Sequence, residues 1–116
     1  MEENLVLNNY LRDTAILKET LEQLEKDFFQ SGIDQEFQSM AVLSFEKMCC
    51  SLSERLKLLN DKNGSQLQNL LYRIDISPKQ ISQYTKSHPQ KDYELLLAEL
   101  MLKRELQKVV LRKHYS

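Results

Sequence analysis

The feature that most constrains this chain is how seldom its helical rhythm is interrupted. In 116 residues there are two glycines and two prolines, Gly32, Gly64, Pro78 and Pro89, each set between leucine-rich stretches. Glycine supplies the left-handed backbone that closes a helix, and proline opens a helix or blocks its continuation. Four such breaks divide the chain into helices and offer few of the turns a β-sheet needs. The expected fold class is all-α: an antiparallel up-down helical bundle of three long helices plus a broken short helical segment. A chain of this length, 41% hydrophobic and 28% charged, suits one helical-bundle domain over residues 1–116 with a single core.

Periodicity assigns the segments. Leu7, Tyr10, Thr14, Leu17, Leu21, Leu24 and Phe28 alternate spacings of three and four, a heptad seam that predicts a first helix ending near Gln30, with Gly32 as its left-handed terminator. Asp34 is the expected N-cap of a second helix carrying Phe37, Ala41, Phe45, Met48, Leu52, Leu56 and Leu59, stopped by Asn63 and Gly64. Ser65 with Gln68 reads as a capping box for a short helix built on Leu67, Leu70, Leu71 and Ile74. Ser77, Pro78 and Gln80 form a second capping signature, leading into Ile81 and Tyr84. The last helix is expected from about Pro89 to His114, capped by Ser87 with Gln90 or bounded at His88.

That last helix has more apolar circumference than a surface helix requires. At 100° per residue its apolar side chains make two stripes, one of Leu95, Leu102, Leu106 and Val109, the other of Tyr93, Leu96, Leu97, Leu100, Met101 and Leu111. Glu99, Lys103 and Gln107 run between them, with Glu99 and Lys103 in position to pair. Such a helix either sits at the centre of its own bundle or turns its second stripe to another chain, which makes Leu96, Leu100 and Met101, with Arg104 on the rim, the candidate partner-binding residues.

Charge divides along the chain. Residues 1–58 hold 11 acidic and 6 basic side chains and residues 59–116 hold 6 and 10, giving −5 and +4 within an overall −1. Oppositely charged helices packed side by side account for this, and so does an anionic partner on the C-terminal half. Lys103, Lys108, Arg112 and Lys113 are the candidate anion-binding residues. Cations are also expected at a helix C-terminus, where they offset the carbonyl end of the dipole. Nucleic-acid binding usually adds aromatic side chains among the cations, and only Tyr115 is near.

Chemistry-bearing arrangements are sparse. His88 and His114 are the only histidines, and only Asp92 stands at helical spacing from His88, too few donors for a transition-metal site. Two isolated glycines do not build a phosphate-cradling loop. Cys49 and Cys50 are neighbours whose side chains diverge by about 100° on a helix, so they read as reduced thiols, Cys49 as a small core residue. No catalytic residue, metal or cofactor is expected; Tyr72, Arg73 and His88 mark the one region where catalysis would be sought. The bend at Tyr72, Arg73, Ile74 and Asp75 combines a ring, a guanidinium and a carboxylate, with ion pairs to the long helices as its simplest use. Apolar runs such as Leu95–Leu97 fall far below the ~20 residues of a membrane span. With acidic Glu2 and Glu3 at the start and reduced thiols, the expected location is the cytoplasm. The function expected is a non-enzymatic protein–protein interaction, self-association into a homodimer included. The alternative is a nucleic-acid-associated module using the basic C-terminal helix.

Overall fold

The computed structural model of the chain describes residues 9–33 and 44–115. Five helices form there: α1 (Thr14–Gln30), α2 (Phe45–Lys62), α3 (Gly64–Ile74), α4 (Pro78–Ser87) and α5 (Tyr93–Tyr115), with no strand among the described residues. Leu7, Asp34, Phe37 and Ala41, assigned above to helical seams or a cap, lie outside the described residues.

Local chemistry explains the boundaries. Asp13 opens α1 by accepting the Ile16 amide at 3.1 Å, so Tyr10 falls before the helix and Thr14 is exposed, while Leu17, Leu21, Leu24 and Phe28 keep their buried stripe. Gly32 closes it as expected at φ 83°, with the Ile33 amide donating to Phe28 O and the Gly32 amide to Phe29 O, the paired bonds of a Schellman turn. The second helix does not run through from Asp34. Ser44 has extended backbone and accepts the Lys47 amide, so α2 starts at Phe45. Likewise the cap of α3 is Asn63, which takes the Gln66 amide at 3.2 Å, while the Ser65 hydroxyl donates to Asn63 Oδ1 instead of capping the helix itself.

At the end of α3 the Schellman pattern recurs, with Asp75 in the left-handed position at φ 73° and the buried Ile76 bonded back to Leu71 O. Ser77 and Gln80 complete their capping box reciprocally, with Pro78 at the first turn. The expected caps of the last helix belong to the preceding one: the Ser87 hydroxyl bonds back to Gln83 O and His88 is the C-cap of α4. Proline 89 disfavours helical backbone at His88, so the chain makes a turn and α5 begins only at Tyr93.

The central position anticipated for the last helix is occupied by α5, which touches all four other helices. Leu97, Ala98, Met101, Leu102, Leu106 and Val109 are fully buried, and they join Leu17, Leu24 and Phe28 of α1, Met48, Leu52 and Leu56 of α2, and Leu67, Leu70 and Ile74 of α3 in one cluster. At about 25 cal/mol per Å² of apolar surface removed from water, this shared core is what holds the helices together. By contrast, α4 buries no residue completely and meets the rest of the fold mainly along α5.

Candidate functional site

Although Lys103, Arg112, Lys113 and His114 remain exposed, α5 is surrounded, and some of its polar residues meet other helices. Two glutamates illustrate this, six positions apart and on different faces. Glu99 faces α4: Tyr84 Oη donates to its Oε2 at 2.6 Å and Lys91 Nζ to its Oε1 at 2.7 Å. Lys103 Nζ reaches the Tyr84 hydroxyl at 3.3 Å and lies 5.4 Å from the centre of its ring, so Glu99 pairs with Lys91 and not with Lys103. Behind Tyr84, the His88 ring stacks at 4.3 Å, and its Nδ1 lies 3.1 Å from Tyr84 O. Burial opposes the charge on Glu99, but hydrogen bonds from Lys91 and Tyr84 outweigh it and hold the carboxyl below its ordinary range; burial and the same bond push the Tyr84 hydroxyl well up. Cys49, on α2, is raised to about 12, chiefly by burial and then by the charge of Glu99, which makes it a packing residue and not a nucleophile.

Glu105 faces α1 and is completely buried. There it meets Asp27, itself buried; among the described residues Glu105 Oε1 and Oε2 and Asp27 Oδ2 have no hydrogen-bond partner while both acids are ionised, and a bond between the two carboxyls requires a proton on one of them. Burial first, and then the bond and charge of Asp27, raise Glu105 to about 8, against the pull of Lys108. Lys108 Nζ lies 3.1 Å from Glu105 and 3.5 Å from Asp27, while Arg73 of α3 comes within 3.6 Å of Asp27 and donates to Gln30. The Gln23 amide adds a contact to Asp27 at 3.4 Å.

Asp27 also forms part of the wall of an open cleft of about 590 Å³ between α1 and α3, lined by Gln30, Ser31, Asn69, Tyr72 and Arg73 as well. Tyr72 is 87% exposed at its edge. The cleft offers amides, a guanidinium, hydroxyls and an aromatic face, the groups that recognise another protein's polar surface. Ser31 Oγ in its wall is buried and has no hydrogen-bond partner among the described residues. Tyr72 and Arg73 border this cleft, whereas His88 sits at the other glutamate, so the three residues singled out for catalysis are not assembled into one site.

The residues expected to contact a partner are placed mostly inside. Leu96 and Met101 are 1% and 0% exposed, Leu100 is half-buried against the core, and Arg104 bonds Gln107 at 2.6 Å and Asp75 at 3.2 Å. The expected cations are tied to the chain's own groups: Lys108 as above, Lys113 to Glu19 at 3.0 Å, Arg112 to Gln23 at 3.0 Å and Lys103 to Tyr84. The charge asymmetry of the sequence is thus used in packing α5 against α1. No group of three or more metal-ligating side chains occurs among the described residues. Sequence reasoning did not find the Asp27–Glu105 pair; the only local signal was Lys108 three positions from Glu105, a spacing ordinary on solvent faces. Comparison with known proteins found no family model, curated protein or solved structure that matches the chain.

Proposed function

We propose that the chain is a non-enzymatic interaction module that binds a protein partner through the α1–α3 face, with Tyr72 and Arg73 as anchors. The observation that carries this reading is the exposure of Tyr72 beside the 590 Å³ cleft, since tyrosine and arginine dominate the energetics of protein interfaces. Phe29, near the end of α1, is 73% exposed and adds apolar area to the same helix terminus. The reading moves the contact from Leu96 and Met101, which the chain buries, and half-buried Leu100 to a surface it leaves open.

Three features belong with it. An antiparallel up-down arrangement of the long helices is supported by the register of the α1–α5 contacts, which runs Glu19 with Lys113, Gln23 with Arg112 and Asp27 with Lys108. A cytoplasmic setting suits two free thiols, one of them exposed; among the described residues no helix is long and apolar enough to cross a membrane. A second copy of the chain is the simplest partner, whereas nucleic acid would compete with the internal pairing of Lys108 and Lys113.

Photocrosslinking tests the site. A photoreactive phenylalanine analogue in place of Tyr72 is expected to give discrete adducts in cells, and the same group at exposed Lys86 on α4 to give none. Equal labelling at both positions, or none at Tyr72, contradicts the reading. Sedimentation of wild type and Tyr72→Ala over a concentration series separates self-association from a different partner.

A further inference from the structure

We propose that Asp27 and Glu105 form a one-proton clasp joining α1 to α5, and that loss of the proton as pH rises from acid through neutrality releases the last turns of α1 and with them the wall of the α1–α3 cleft. The clasp stands whatever occupies the cleft.

Its basis is placement. Two carboxyls from different helices meet where neither is open to water, Glu105 at 0% exposure and Asp27 at 5%. While one proton is present, one carboxyl donates to the other; when it departs to solvent, two acceptors of like charge are left face to face. Among the described residues, the charged groups that meet the pair come from α1, α3 and α5. From α1 comes Asp27, with Gln23 as a neutral neighbour; from α3, Arg73, 42% exposed and acting through Asp27; from α5 itself, Lys108, shared between both acids. The buried residues of α2 are Phe45, Met48, Cys49, Leu52, Ser53 and Leu56, none charged at neutral pH; the half-buried Arg55 of α2 lines a separate cavity with Phe28 and Ile33, and α4 buries nothing.

Relief comes from the α1 side. Glu105 is in the middle of α5 with Met101, Leu102, Leu106 and Val109 buried around it, so moving it disrupts the core. Asp27 lies one turn from the end of α1 and borders the cleft, so swinging it to water disturbs only a helix terminus. Arg73 is attached to the same turn through Asp27 and Gln30, and its hold on α3 goes with it.

The sign follows from the raised pKa of Glu105 in the closed form. Glu105 titrates near 8 when buried and near the ordinary 4.5 when open, so opening releases one proton between those values. Opening therefore grows about tenfold per pH unit over that window and levels off above it. Residue-resolved amide exchange of Gln23–Gln30 in the full chain, from pH 5.5 to 9 and corrected for intrinsic rates, reads this directly. Wild type is expected to show the rise and plateau, and Glu105→Gln, which keeps the donor without the charge, to show neither. Asp27→Asn, which removes the like charge next to Glu105, ends the rise at a lower pH and a lower plateau, and serves as the test if Glu105→Gln fails to fold. A flat wild-type profile, an unchanged rise in Glu105→Gln, or an unmoved window in Asp27→Asn overturns the clasp.

Discussion

The α4 seam and the α1 seam of the central helix bury the same kind of group by opposite means. At α4, Glu99 is met by two donors, a phenol and an ammonium, and stays ionised. At α1, Glu105 is met by another acid and keeps its proton. The difference teaches that burial alone does not decide the charge of a carboxyl; the count of donors against acceptors around it does. It also sorts the seams by role. The first attaches a helix that buries no residue of its own, so it supplies stability through hydrogen bonds. The second lies between helices already joined by a core and is free to respond to conditions.

The widest expected effect is pH dependence that divides between the seams. Glu105 has a folded pKa above its unfolded one, so its contribution is complete below about 4.5 and is lost as pH rises to about 8. The loss is on the order of a few kcal/mol, read as the difference between wild-type and Glu105→Gln urea unfolding at pH 5 and pH 8.5. Glu99 is depressed, so its contribution is present above the unfolded value and lost as acid titrates the folded carboxyl, below the ordinary carboxylate range. Opposite slopes at the two ends of the pH range are the signature; slopes of one sign, or no difference between wild type and Glu105→Gln, break the comparison.

At pH 7 the substitutions differ in sign. Glu99→Ala leaves Tyr84 Oη and Lys91 without their acceptor and is expected to cost about 2 kcal/mol. Glu105→Gln removes an acid that must take up a proton on folding at this pH, so it should raise stability, by roughly 2 to 3 kcal/mol. A loss of stability in both, read by chemical denaturation, would remove the distinction.

How far the sequence announced these features depends on the reach of each signal. Gly32 and the Ser77, Pro78, Gln80 box act within a few residues, and both are found where their local chemistry puts them. The two apolar stripes of α5 showed that it has neighbours on two sides but not whether the second neighbour is its own bundle or another chain, because spacing along one helix carries no information about what covers it. The start of α2 was not, because Phe45 continues a period that Phe37 and Ala41 share, and Ser44 looks like any polar residue between apolar ones. Asn63 and Ser65 both have capping side chains, and only the backbone decides that Asn63 serves while Ser65 supports it. Glu99 and Glu105 read alike as polar positions on a helix. Their partners Tyr84 and Asp27 come from other helices, so nothing in local spacing separates an ionised from a protonated acid.

Smaller effects sharpen the contrast. Tyr84→Phe removes one donor from Glu99 but leaves Lys91, and is expected to lower stability by about 1 kcal/mol while exchange in α4 speeds up more than in α1. Equal acceleration in both helices would show that α4 is not held by this seam. Smallest is Asp75→Gly, which relieves a left-handed aspartate but gives up a mostly exposed ion pair with Arg104. The two terms nearly offset, leaving a net gain under about 1 kcal/mol in thermal unfolding. A loss larger than that would make Arg104 a firmer anchor than the exposure of Asp75 allows.

The most direct test of two unlike seams on one helix is a carbon-detected NMR titration of the glutamate side-chain carboxyls, assigned through Glu99→Gln and Glu105→Gln. One resonance, from Glu105, is expected to titrate near pH 8, and Glu99 to titrate below the exposed glutamates. Glu105 moving with the exposed glutamates near 4.5 would contradict the account, because the buried pair would then be ionised throughout.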